Sequence, residues 1–233
     1  MAQSEVMSSY WRGFRDGLPF IAVVAPFATL FGVLSMESGL SVFETVAFSV
    51  VVIAGSAQFA ALQLLNDNAP LLVVILSALT VNLRMSMYSA SLTPYLGPLP
   101  LWKRITAAYF LVDITYAASV QDYDKRPQES VAQKFAYFMG VATPVCPLWY
   151  LFTLIGALVG EAIPSGGGLD FALPIAFIAM VAPTLRTTAH MGAAISAALL
   201  ALCLYWMPFN LGLITAALAG MAVGAELERR GWA

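Results

Sequence analysis

Arg84 and Asp113 each lie well inside an apolar run of the sequence. A charge at the centre of a membrane helix costs about 2.5–3.5 kcal/mol on insertion scales, so such residues pair or line a pathway. The two fall on consecutive apolar segments and carry opposite charge, so an Arg84–Asp113 contact is expected. Three readings are open: an ion pair that only fixes register, charges that face a transport cavity, or an Arg84 near a helix end that snorkels to the interface. Asp113 is the candidate for proton coupling, because desolvation raises a carboxylate pKa and a neighbouring arginine lowers it.

Around Arg84 the chain alternates polar and apolar residues, with Asn82, Arg84, Ser86 and Tyr88 as the polar set. A regular helix spreads that set around its axis, whereas an unwound stretch puts it on one side. Unwound backbone at mid-membrane is how several transporters bind amino acids and ions. Gln58, Asn82, Arg84, Tyr88 and Tyr116 are the candidate substrate-binding residues. The run Ala54-Gly55-Ser56-Ala57-Gln58-Phe59 permits close helix contact, and Gly55, Ser56 and Pro183 are candidates for helix packing or gating. His190, in the polar break that follows Pro183, is either a proton-exchanging group or a packing residue.

These residues need elements to hold them, and composition sets their class. Of 233 residues, 60% are apolar and 10% charged, with net charge −2 and mean hydropathy +0.81. A soluble domain carries about 45–50% apolar and about 25% charged residues. Soluble, disordered and disulfide-stapled classes are therefore excluded, and scattered basic residues argue against nucleic-acid binding. Cys146 and Cys203 read as small core residues. With one histidine and no CxxC, no metal site, catalytic group or cofactor is expected. Glu5, Asp16 and a full-length first span argue against a cleavable signal peptide.

The fold class expected is an all-α polytopic membrane protein of seven or eight transmembrane helices, some broken by Pro or Gly. Candidate spans are 17–36, 44–65, 69–92, 104–120, 135–159, 169–186, 188–206 and 209–226, with Trp206–Asn210 as the last turn. The proline-rich stretch Tyr88–Trp102 is where a broken or re-entrant piece is expected. Residues 1–16 read as an interfacial helix with Met7, Tyr10, Trp11 and Phe14 on one face, or as a frayed tail. A first transmembrane half (17–120), a polar cytoplasmic loop (121–134) and a second half (135–233) follow. Eight spans with a cytoplasmic N-terminus place most Lys and Arg inside, leaving Lys103 and Arg104 outside. The Leu30–Leu34 run with Glu37 echoes the Leu154–Leu158 run with Glu161 at one constant offset, which suggests an internal repeat.

The chain resembles the AzlC/YgaZ family, the large subunits of two-component branched-chain amino-acid exporters. The likeness rests on Gly17-Leu18-Pro19 with Phe31-Gly32, on Ala54–Phe59, on Asn82-Leu83-Arg84 with Tyr88, on Pro100–Arg104 and on Asp113. It covers residues 13–120 well; beyond them length and hydropathy match more than motif. The resemblance implies a plasma-membrane exporter of leucine, isoleucine, valine and methionine driven by the proton gradient. It also implies a small partner subunit of about four helices, of the AzlD/YgaH type. Family members often carry a second acidic residue directly after the aspartate, where this chain has Ile114, so a two-carboxylate scheme is in doubt. Rival readings are a passive channel, a non-transporting scaffold and a rhomboid-like intramembrane protease. Ser56 and His190 suit the last, but Ala54 stands where its motif has glycine.

Overall fold

A computed structural model describes residues 2–162, 185, 187–207 and 211–231. The described residues are helical, without strands: α1 (Ala2–Gly17), α2 (Ile21–Glu37), α3 (Val42–Val51), α4 (Gly55–Asn66), α5 (Leu71–Leu96), α6 (Leu101–Tyr109), α7 (Asp113–Lys125), α8 (Val131–Ala162), α9 (Thr188–Cys203) and α10 (Leu211–Arg229). The chain divides into two compact units, Met1–Gly167 and Gly168–Ala233. Four helical runs are long and apolar enough to cross a membrane: Gln3–Glu37, Leu71–Leu96, Val131–Ala162 and Leu211–Arg229. The fold is an all-α polytopic membrane protein, and two of the expected spans take a different course.

In the first unit, α1–α2 and α8 run side by side in the same direction. Asp16 accepts from the Tyr137 hydroxyl at 2.8 Å near one end, and Gly160 abuts Val33 and Met36 near the other. They approach closely at two places, where Gly13 and Gly140 face each other's backbone and again where Gly32 and Gly156 do. A Cβ on Gly32 would overlap the Thr153 carbonyl, and one on Gly156 the Thr29 carbonyl. Small residues are what let two membrane helices approach this closely. The two copies of the sequence echo are therefore the facing stretches of α2 and α8. Within the expected interfacial segment, residues 2–16 form a helix that does not lie apart. It is seated on α8, with Ser9 buried, Trp11 exposed and the Tyr10 hydroxyl on Thr143 at 3.0 Å.

The expected span 44–65 is a helical hairpin. It is α3, a break at 52–54, and α4. The Ser41–Glu44 capping box starts α3 near the end of α2, where Thr45 meets Met36. Ser49 reaches Thr153 of α8 at 3.0 Å. After the break, α4 returns toward the end it came from. Ser56 lies beside Arg84 halfway along α5, while Leu64 packs with Val74 near the start of α5. The span expected at 104–120 is a second hairpin, α6 and α7, entering from the opposite end. Lys103 sits over the Phe135 ring at the start of α8. Tyr109 meets Tyr150 in its middle. The Tyr123 hydroxyl is back at the Lys134 carbonyl, 2.8 Å away.

The lengths agree with this course. The four hairpin helices have 10, 12, 9 and 13 residues. They measure about 14–20 Å at 1.5 Å per residue, half the ~30 Å hydrocarbon core. With 26 residues, α5 spans about 39 Å and crosses in full. The hairpins match in build, 10 residues then 12 against 9 then 13, each pair parted by a three-residue break.

The breaks have local causes. In the second, the buried Thr115 hydroxyl accepts from Val112 N–H and donates to the Phe110 carbonyl, both at 2.9 Å, in place of helical hydrogen bonds. In the first, Ala54 is extended at φ −152. The Val50 carbonyl, left without a helical partner, accepts from the Tyr109 hydroxyl at 2.8 Å. Gly55 admits the Trp149 ring, which a Cβ would meet at 2.7 Å.

Two expectations are corrected here. The stretch Tyr88–Trp102 is not re-entrant: α5 continues through Pro94 to Leu96 and turns at 97–100. Lys103 and Arg104 do not lie opposite the N-terminus. Tyr95 packs on Tyr123, and Arg12 pairs with Asp122, so the turn after α5 shares the N-terminal end. Arg12, Arg15, Lys103, Arg104, Lys125, Arg126 and Lys134 thus gather at one end. The other end of this unit holds Glu37, Glu44, Asp67 and Glu161, with no Lys or Arg among the described residues.

Much of 121–134 is helical, as the end of α7 and the start of α8. Asp122, only 4% exposed, takes Arg12 and Arg126, and Glu129 also holds Arg12.

In the second unit α9 and α10 pair through small residues. A Cβ on Gly220 would meet Ala197 and the Ala193 carbonyl. Thr187 caps α9 by accepting from His190 N–H, and the His190 ring lies 3.9 Å from Glu228. Of the expected span 169–186 only residue 185 is described, and Pro183 lies outside the described residues.

Candidate functional site

The tips of the two hairpins meet. Ile53 of the first break and Phe110 and Val112 of the second pack against one cluster on α8 that includes Val145 and Cys146. Tyr109, at the end of α6, ties the tips together through its bond to Val50 and its 2.9 Å contact with the Tyr150 hydroxyl. Both α4 and α7 begin at the tips and run outward in opposite directions. Two helix starts therefore converge at mid-depth, each worth roughly half a positive charge. The α4 start has no side-chain cap.

Arg84, on the through-going α5, bridges them. Its Nη2 donates to Ser56 Oγ at 2.7 Å on the first tip and pairs with Asp113 Oδ2 at 3.1 Å on the second. The contact expected between Arg84 and Asp113 is thus formed, between a crossing helix and a hairpin tip. The pair is open, with side chains 37% and 50% exposed. Arg84 Nε is buried without a hydrogen-bond partner, leaving donor capacity at the centre. Tyr88, one turn along α5, interacts with Asp113 and stacks on Tyr116 at 4.1 Å between centroids, 12° from parallel. The Tyr116 hydroxyl donates to Ser91 at 3.1 Å.

The structure therefore brings together Arg84, Tyr88, Asp113, Tyr116 and Ser56, with Gly55 beside them under Trp149. It does not bring in Gln58 or Asn82. The chain is a regular helix through 82–88, not unwound, because nothing there interrupts the backbone ladder. Asn82 is consequently about 200° around α5 from Arg84. Gln58 is likewise about 200° around α4 from Ser56. It is fully buried and donates to Ser49 at 3.0 Å, which in turn contacts Thr153. Its role there is to fasten the first hairpin to α8.

Sequence reasoning passed over Tyr109, Thr115, Trp149 and Tyr150. Their only signal was polar or aromatic character within apolar segments. Of the protease pair, Ser56 accepts from Arg84 and His190 sits near Glu228. Among the described residues no cluster of His, Cys, Asp or Glu could hold a metal ion.

Membrane-crossing helices around two broken hairpins, with a charged centre where the hairpins meet, define an integral membrane protein of transporter type. Residues 19–163 match the family model described as AzlC protein, and the chain belongs to the AzlC family. It is similar to the inner membrane protein YgaZ of Escherichia coli K12, 26% identical over 93% of this chain and 88% of that protein. An uncharacterised membrane protein of Archaeoglobus fulgidus is 29% identical over 89% of this chain and 92% of its own length. One from Helicobacter pylori 26695 is 26% identical over 85% and 87%. No solved structure matches.

Proposed function

We propose that this chain is the large subunit of a proton-coupled exporter of branched-chain amino acids. Leucine, isoleucine and valine are its substrates, with methionine as a further one. It works in the plasma membrane beside a small subunit of the AzlD/YgaH type. The observation that carries the reading is the open Arg84–Asp113 pair where two opposed hairpin tips meet. The seven Lys and Arg gathered at one end support a cytoplasmic N-terminus.

An amino-acid zwitterion carries both charges of that pair, and each needs a partner in a low-dielectric cavity. Its carboxylate takes Arg84 and the nearby start of α4. Its ammonium takes Asp113, and Tyr88 and Tyr116 shape the wall beside it. A proton arriving at Asp113 competes with the ammonium, loosens Arg84, and drives the solute out on the other side. Because Ile and Val differ by one methylene, an apolar pocket separates them by only about 1–3 kcal/mol, so specificity is broad.

The test is counterflow of labelled leucine, isoleucine, valine and methionine into liposomes holding this chain with its small subunit. The expected result is exchange of all four that responds to a pH gradient in the wild type. In Asp113→Asn the response is expected to vanish. Proton-driven transport unchanged in Asp113→Asn contradicts the mechanism; no exchange of any of the four contradicts the substrate class.

A further inference from the structure

A cavity of about 190 Å³ lies between α5, α6 and α8, on the basic-end side of the second hairpin tip. Its floor is apolar: Leu92, Leu96, Leu111 and Phe138 are all core residues. Leu111 belongs to the break itself. Arg104 lines it, and no Asp or Glu does. Among the described residues Arg104 has no ion-pair partner. The Thr93 hydroxyl is spent on the Ser89 carbonyl within α5, so it offers the cavity only acceptor lone pairs.

A guanidinium over an apolar floor made mostly of leucine, with no carboxylate to meet a cation, suits an anion with an aliphatic body. We propose that this cavity binds an aliphatic carboxylate or like anion, with Arg104 as its charge partner. Its position makes it a vestibule from which such a ligand approaches the hairpin tips. That the ligand is the transported amino acid rests on the function proposed above; the anion site itself stands on the cavity and Arg104. The shared chemistry has a second source in the headgroup of an anionic lipid.

The experiment follows labelling of Ala108→Cys, on the cavity wall, by a small uncharged thiol reagent in the Cys203→Ser background. The protein is held with its small subunit in nanodiscs of zwitterionic lipid. The probes are leucine, 4-methylpentanoate, which lacks the ammonium, and 3-methylbutylamine, which lacks the carboxylate. At about ten times Kd, occupancy slows labelling on the order of tenfold. The expected result is protection by 4-methylpentanoate and leucine but not by the amine. Protection is lost in Arg104→Gln and partly kept in Arg104→Lys. Slowing by phosphatidylglycerol alone, abolished by Arg104→Gln, supports the same site with a lipid headgroup as its ligand. Absence of protection by any anion, or protection unchanged in Arg104→Gln, overturns it. Leucine counterflow on the same preparation separates the two readings. Protection without counterflow leaves the site and removes the transport reading, whereas counterflow without protection removes the site.

Discussion

Arg84→Gln is expected to lower leucine exchange on the order of ten- to a hundredfold, with the protein still folded. The pair is partly exposed, so the figure that applies is that of a hydrogen bond to a charged group, about 1.5–3 kcal/mol, and each 1.4 kcal/mol is about tenfold. Two losses combine. The substrate carboxylate loses its guanidinium, and Asp113 is left beside the helix starts without its counter-charge. Arg84→Lys keeps a charge that could meet both Ser56 and Asp113, which Arg84 meets through Nη2 alone, but it lacks the guanidinium's planar donor set and its Nε, so partial activity is expected. A pair that only fixed register would behave differently. Neutralising both partners would then restore the protein, because removing a whole ion pair is often tolerated. The double variant Arg84→Gln with Asp113→Asn is therefore decisive. It is expected to stay folded by size-exclusion chromatography and thermal unfolding yet remain inactive in counterflow.

The second large effect concerns assembly. Gly156→Leu and Gly32→Leu are each expected to prevent α2 and α8 from packing. The atoms in the way are the Thr29 and Thr153 backbone carbonyls, and backbone cannot swing aside as a flexible side chain can. Overpacking alone costs about 1–3 kcal/mol; a clash with backbone at the crossing of α2 and α8 lies in the exceptional range above about 4 kcal/mol. Because the contact is reciprocal, the two variants are expected to fail alike. The readout is the fraction recovered as monodisperse protein and its unfolding temperature. A normal yield and temperature for either variant would contradict the crossing described here.

Some of this was legible in the residues. Arg84 and Asp113 stood out because a charge inside an apolar run demands an explanation, and their pairing followed from opposite sign on consecutive segments. Tyr88 and Tyr116 came with them. The direction of the chain did not follow. Segments 44–65 and 104–120 are each long enough to cross, and hydropathy records length without recording a reversal. The reversal turns on three residues at each break and on partners remote in sequence, such as Tyr109 for Val50. One clue was present: Lys103 and Arg104 were the cations that the eight-span count left on the wrong side. Two hairpins remove that exception. The alternating polar set at 82–88 invited an unwound reading, but no Gly or Pro falls there, and the helix persists. Gln58 was assigned to the substrate by its chemistry, whereas the helical turn after Ser56 carries it to Ser49 and α8.

The account turns on two hairpins that enter from opposite faces, so that two helix starts meet at Arg84 and Asp113. The sidedness of Asp67 and Pro98 tests it most directly. In the Cys203→Ser background, Asp67→Cys, Pro98→Cys and Gln3→Cys are labelled on intact cells with a membrane-impermeant maleimide, then again after permeabilisation. The hairpins predict that the label at position 98 behaves like that at position 3, and that position 67 lies on the opposite face. Position 67 sharing the face of position 3, with 98 opposite, would mean that both stretches cross the membrane, and would contradict the site itself.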